Sequence, residues 1–196
     1  GLNPIYYAKK QLVPFGEYIP RPFNDWLETF GATQGNFYPG TLDGIIPVEL
    51  SGTEYAFGAL VCYEDMFPAL VRDTVQAGAE ILYVATNNAW YGEEGGAYFH
   101  AAHSVLRAIE NRRPVIRCGN AGWSGWIDAY GSVRDVLTDE VNSIYFKGCG
   151  TFSLSLDKRW HSSTSFYTRY GDWFIWLSAL FAISATLLRE KRIYAL

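Results

Sequence analysis

Short apolar runs alternate with helix-period stretches along residues 1–170 of this 196-residue chain, the pattern of an α/β domain. Residues 55–62, closing on Phe57-Gly58-Ala59-Leu60-Val61-Cys62, read as a strand. Pro68 suits the first turn of a helix that reaches residue 77, with Gly78 as its stop. The run Ile81-Leu82-Tyr83-Val84-Ala85 shows no polar alternation, as expected of a strand covered on both faces. It opens into Thr86-Asn87-Asn88-Ala89-Trp90-Tyr91-Gly92, a loop rich in amides and aromatics, and loops beyond strand ends are favoured ligand positions in α/β sheets. A helix over 97–112 stops before Pro114. A strand over 115–118 leads into the tight loop Gly119-Asn120-Ala121-Gly122. Residues 123–128 and 133–137, joined across 129–132, read as a hairpin. Residues 150–156, with Phe152, Leu154 and Leu156 on one face, read as a last strand.

The pattern changes at the end of the chain. Residues 173–188 carry no charge, and sixteen helical residues span about 24 Å against a hydrocarbon core of about 30 Å. Trp173 and Trp176 at one end and Arg189, Lys191 and Arg192 at the other extend that reach by interfacial anchoring and snorkelling. Ser178, Ser184 and Thr186 fall at roughly 0°, 240° and 80° around the helix, so no polar stripe exists to face water. This argues for a spanning helix with a short basic tail over 171–196, following a globular domain over 1–170. The three basic residues after the segment, against Arg169 before it, favour a cytoplasmic C-terminus with the globular part on the opposite side.

Composition narrows the function. A formal net charge of −4 gives no basic surface for nucleic acid. The 7 Trp, 14 Tyr and 12 Phe suit bulky apolar or amphipathic groups as well as a large core. Cys62, Cys118 and Cys149 form no Cys-x-x-Cys pair, and the histidines complete no zinc pattern, so no disulfide framework, metal or cofactor is expected. The opening Gly1-Leu2-Asn3-Pro4 is neither a signal peptide nor a start methionine, which suggests a piece of a longer protein.

Candidate chemistry centres on Cys62, a thiol delivered by a buried strand into the polar corner Tyr63-Glu64-Asp65. Lys9-Lys10-Gln11-Leu12-Val13-Pro14-Phe15-Gly16-Glu17 supplies an ammonium and a carboxylate. A lysine near a thiol favours its thiolate and can stabilise an oxyanion, and a carboxylate can hold that lysine or relay a proton. His100 and His103 lie one turn apart near a helix start; a Cys–His pair with Cys62 is an alternative to a structural role. Arg107, Glu110 and Arg113 at i, i+3 spacing read as a solvated face.

Lys9-x-x-Leu12-Val13-Pro14-Phe15-Gly16-Glu17, Cys62-Tyr63-Glu64, Asn87-x-Ala89-Trp90-Tyr91-Gly92 and Arg117-x-x-Asn120-x-Gly122, in that order and followed by an apolar terminal segment, resemble the carbon–nitrogen hydrolase (nitrilase) superfamily and, within it, the apolipoprotein N-acyltransferase family. The resemblance implies the C-terminal part of an αββα sandwich followed by one membrane helix. It implies Cys62 as nucleophile, Lys9 as the triad lysine and Glu17 as a supporting glutamate. Tyr63 and Glu64 would flank the nucleophile at the substrate, and Trp90 and Tyr91 would belong to an aromatic loop near the acyl-chain entry. The triad's general-base glutamate would lie upstream of Lys9. Asn88 stands where aspartate is common, and Ala121 where asparagine is common. The implied reaction moves an acyl chain from a phospholipid, through a cysteine thioester, to the amine of a diacylglyceryl-modified apolipoprotein at the bacterial inner membrane, the catalytic domain being periplasmic. A nitrilase-type amidase acting on a small amide and a non-catalytic membrane-anchored binding module are the alternatives.

Overall fold

A computed structural model describes residues 6–20 and 37–193; the opening residues 1–4 lie outside the described part. Among the described residues six strands form one sheet in chain order: β1 (Ile45–Leu50), β2 (Thr53–Val61), β3 (Ile81–Asn87), β4 (Val115–Asn120), β5 (Gly125–Ile127) and β6 (Val133–Val136). β2, β3 and β4 run parallel, and the flanking pairs are antiparallel. Parallel neighbours require crossovers. These are α1 (Pro68–Gln76) between β2 and β3, and α2 (Gly96–Asn111) between β3 and β4. Successive right-handed crossovers in one direction place both helices on one face of the sheet, where they touch each other.

The core sits between that face and the helices. Leu60, Leu82, Val84 and Val115 from the strands meet Val71, Val75, Ala101 and Ala108 from the helices. The approach is close at Gly58, where a Cβ would lie 2.7 Å from both Thr74 Cγ2 and Ala79 Cβ. The absence of polar alternation in β3 is thereby explained, since Ile81, Leu82 and Val84 are fully buried.

Three expectations are corrected. β1 escapes the sequence pattern because Pro47 interrupts it; among the described residues the strand pairs only with β2, and at such an edge a missing N–H is tolerated. Its turn, Ser51-Gly52, has positive φ at both residues (52° and 77°), the two-residue hairpin geometry that matches strand twist. Residues 150–156 form no strand: Phe152, Leu154 and Leu156 do alternate half-buried with exposed neighbours, but the segment pairs with none of the described strands. Arg107 and Arg113 are not solvated, being 4% and 6% exposed. Arg107 pairs with Glu110 at 2.8 Å, and Arg113 donates to the carbonyls of Ala79 (2.8 Å), Arg112 (3.2 Å) and Ser163 (3.1 Å), because the returning C-terminal segment covers that part of α2.

That segment carries α3 (Lys158–His161) and α4 (Phe166–Tyr170), each started by a side-chain cap, Asp157 and Ser165. Thr168 is fully buried beneath α4. Its hydroxyl donates to Asn111 Oδ1 at 2.9 Å, and its carbonyl accepts from Gln76 at 2.6 Å, so α4 is fixed to the ends of α1 and α2. Gly171 then turns the chain into α5 (Trp173–Ile193), a 21-residue helix that is long and apolar enough to cross a membrane. Its length, about 31 Å at 1.5 Å per residue, matches the hydrocarbon core. Phe174, Trp176, Leu180 and Phe181 all project away from the protein, and Thr186 satisfies its hydroxyl on the Ala182 carbonyl at 2.9 Å, which leaves it no need of water.

Candidate active site

The parallel strands β2, β3 and β4 all deliver their C-terminal ends to one rim. Cys62 follows β2 directly and opens a 3-10 turn, Cys62–Met66. Its φ is +60°, a left-handed conformation that costs a non-glycine residue about 1–3 kcal/mol and persists where surrounding contacts enforce it. The enforcing group is Glu64. This carboxylate is fully buried and accepts four hydrogen bonds: from Val61 N (2.7 Å) and Tyr7 Oη (2.9 Å) at Oε2, and from Lys10 N (2.6 Å) and Gln11 N (3.0 Å) at Oε1. It thus pins the start of the Cys62 turn and the residues after Lys9 to one another. Tyr7, buried against this carboxylate, has its hydroxyl held protonated far above the usual phenol range.

Lys9 is oriented by the same segment. Its Nζ lies 2.8 Å from both oxygens of Glu17, and Glu17 Oε2 also accepts from Val13 N at 2.8 Å. The ammonium sits 4.9 Å from the centre of the Tyr63 ring, a cation–π contact. Tyr63 Oη in turn donates to the Leu12 carbonyl at 2.7 Å. Burial, and then the Glu17 charge, raise the Tyr63 hydroxyl above its ordinary value. Lys9, Glu17, Tyr63 and Glu64 therefore form one connected group around the Cys62 turn. Glu64, expected among substrate-contacting residues, has no exposed surface and both oxygens engaged within the chain.

A second, buried polar layer lies beneath. Asp65 is fully enclosed, and its Oδ2 accepts from Ser104 Oγ at 2.5 Å and from Arg117 Nη1. Arg117 Nη1 also reaches Ser104 Oγ at 2.7 Å. His100 Nε2 stands 3.3 Å from Asp65 Oδ1, and His100 Nδ1 is 3.0 Å from Asn88 Nδ2. With Asn88 donating, the ring proton sits on Nε2, the nitrogen on the carboxylate side. Burial alone would raise the Asp65 carboxyl, but His100, Arg117 and Ser104 together hold it below the usual carboxylate range. His100 is thus a buried member of a polar network. Asn88 is locked in turn by Gly122, where a Cβ would come within 2.7 Å of Asn88 Cβ.

Sequence reasoning overlooked Asp65, Ser104 and Arg117 as a unit. One signal was available: Arg117 falls inside a strand whose neighbours are apolar, and a charge there requires a buried partner. Trp90 and Tyr91 occupy a 3-10 turn, Ala89–Tyr91, beyond β3. Trp90 is 82% exposed. Tyr91 packs edge-on to His100 at 6.2 Å, so the aromatic loop joins the site through the buried layer. A cavity of about 720 Å³ lined by Leu50, Tyr55, Glu80, Arg112 and Trp160 opens at the opposite end of the strands, and none of these candidate residues lines it. Among the described residues no cluster of three or more His, Cys, Asp or Glu side chains could hold a metal ion.

Residues 4–145 match the family described as Carbon-nitrogen hydrolase. The chain belongs to that family. It is 35% identical over 192 residues to a protein of Geobacter metallireducens named Apolipoprotein N-acyltransferase, covering 95% of this chain and 34% of that relative. A Thermotoga maritima protein of the same name is 31% identical over 186 residues, covering 95% and 35%. The chain therefore spans about a third of the length of these curated relatives. Among solved structures, an amidase from Nesterenkonia sp. is similar at 23% identity with a TM-score of 0.47, over 67% of this chain and 44% of that one. Within this carbon–nitrogen hydrolase, the motif residues are gathered at the C-terminal rim of β2, β3 and β4, the favoured site of open α/β sheets.

Proposed function

We propose that the chain carries the nucleophile side of an N-acyltransferase active site that uses lipid-anchored substrates. The observation that carries this reading is the Lys9 ammonium, fixed by Glu17 at 2.8 Å and tied through Glu64 to the turn that presents Cys62. The Cys62 thiolate attacks the ester carbonyl of a phospholipid, and Lys9 stabilises the oxyanion as the tetrahedral centre forms. The carbon–oxygen bond then breaks, a lysophospholipid leaves with a proton, and a thioester remains on Cys62. In the second half, the amine of a diacylglyceryl-modified apolipoprotein attacks that thioester, expels the thiolate and loses a proton, leaving an amide.

Glu17 is read as the residue that holds Lys9, because both its oxygens already accept hydrogen bonds. The proton acceptor is the glutamate that the family resemblance places upstream of Lys9. Tyr63 positions the ammonium, Glu64 positions both the turn and the lysine segment, and the exposed Trp90 with Tyr91 offers an apolar surface to an acyl chain. α5, long and apolar enough to cross a membrane, supports a site at a bilayer, where both substrates would reside, and Arg189, Lys191 and Arg192 favour a periplasmic catalytic domain at the inner membrane. Turnover of a small soluble amide would have no use for this helix. The test is transfer from labelled phospholipid to a diacylglyceryl peptide by the full-length protein. Activity that survives Cys62→Ala would refute the reading.

A further inference from the structure

The buried pair Asp65–Arg117 takes no part in the mechanism above, yet Asp65 belongs to the same turn as the nucleophile. Cys62 and Asp65 open and nearly close the same five-residue 3-10 turn. Three residues of such a turn rise about 6 Å along its axis. An uncompensated carboxylate at that distance would oppose ionisation of the thiol by about two pH units at an effective dielectric near 20. Arg117 comes from a different element, β4, and meets Asp65 with both side chains wholly buried. Its Nε and Nη2 have no hydrogen-bond partner among the described residues, an arrangement that packing alone does not explain.

We propose that Arg117 is a positioning residue for Cys62: its guanidinium offsets the Asp65 charge in the same turn, so that the thiolate forms without that carboxylate opposing it. The inference rests on Cys62 being the nucleophile. The charge of Cys62 is among those that favour the protonated form of Arg117, behind burial, which opposes it, and Asp65, so the thiol and the guanidinium sense each other. The other groups facing this region are Lys9, Glu17 and Tyr18 from the N-terminal segment, Tyr63 and Glu64 from the turn, and His100, His103 and Arg107 from α2. Lys9 is matched by Glu17 and Arg107 by Glu110. Asp65 is left with Arg117 as its ion-pair partner and the His100 ring 3.3 Å away.

The test is the pH profile of Cys62 alkylation by iodoacetamide in the full-length protein in detergent, read by mass spectrometry at Cys62. This measures the thiol without acyl transfer, so failure here is distinguishable from failure of the acyltransferase reading. Arg117→Met should move the midpoint up by one to two pH units, about the size of the bare-carboxylate effect. Asp65→Asn, which keeps the shape and the hydrogen bond to Ser104, should move it down. The double variant Asp65→Leu/Arg117→Met, which removes both charges and so tends to preserve folding, should restore it to within half a unit or so. Arg117→Lys should leave it nearly unchanged. A purely structural pair would lower stability in each single variant with no opposed shifts. Should Arg117→Met fail to fold, Asp65→Asn decides: an unmoved or raised midpoint overturns the proposal.

Discussion

Replacing Glu64 by alanine removes one acceptor from four donors at once, the amides of Lys10, Gln11 and Val61 and the hydroxyl of Tyr7. Hydrogen bonds to a charged group contribute about 1.5–3 kcal/mol each, so simple addition gives about 6–12 kcal/mol. That sum is an upper bound, because water can enter the space left and bonds to one acceptor are not additive. A loss of about 3–5 kcal/mol is expected, the scale for breaking a buried charged network, equivalent to a melting temperature lower by about 10 °C in a domain of this size. Glu64→Gln keeps the shape and turns an amide N–H towards the donors. Tyr7 can rotate to accept from it, while the Val61 amide cannot, so about 2 kcal/mol is expected. The activity should fall further than stability alone requires. Lys10 and Gln11 directly follow the ammonium, and a misplaced oxyanion donor costs about 10²–10³ in rate. Thermal unfolding by circular dichroism, with single-turnover acylation measured well below the melting temperature, checks both parts. Glu64→Ala melting within 2 °C of wild type, or so, with unchanged acylation would refute the reasoning.

Lys9→Met should slow acylation by about 10²–10³ while leaving the fold intact, because Glu17 keeps its bond to Val13 and is partly exposed; rapid-quench kinetics would show it. Gly122→Ala should lower the melting temperature by several degrees, about 1–3 kcal/mol, since its Cβ would press on Asn88. Asp65 and Asp128 are both held below the usual carboxylate range, in each case by partners that outweigh burial: His100, Arg117 and Ser104 for the first, the amides of Tyr130 and Ser132 and the Arg134 side chain for the second. A depressed carboxyl adds stability above its unfolded value, near 3.9, that is lost as pH falls through the folded value. Melting temperature should therefore hold level above about pH 5 and fall below about pH 4; Asp128→Asn should flatten that fall, and an unchanged slope would contradict it.

Much of the architecture was legible because parallel strands buried on both faces leave continuous apolar runs. β2, β3, β4 and the hairpin of β5 and β6 were all readable, as were α1, α2 and α5. β1 was hidden by Pro47, whose meaning depends on being at an edge, a fact of pairing rather than of sequence. Residues 150–156 show the converse: alternation reports which way side chains face, while strand pairing needs a partner backbone. At the site, the motif wording singled out Lys9, Glu17, Cys62, Tyr63 and Glu64; the structure joins Lys9 to Glu17 and Tyr63 directly, and Glu64 to the same segment through the amides of Lys10 and Gln11. The direction of Glu64 into the protein could not be read, because a 3-10 turn sends consecutive side chains to different sides. Arg107, Arg113 and Arg117 share one lesson. Helical spacing or strand position tells where a charge lies on its element, and only the packing of other elements decides whether it meets water.

The central claim is that Cys62 carries the acyl group. Full-length protein incubated with phospholipid and no acceptor, then digested and analysed by mass spectrometry, should show an acyl adduct on Cys62. The adduct should be labile to hydroxylamine, absent from Cys62→Ala, and discharged when a diacylglyceryl peptide is added. Normal transfer to that peptide with no adduct at Cys62, or by Cys62→Ala, would contradict the account.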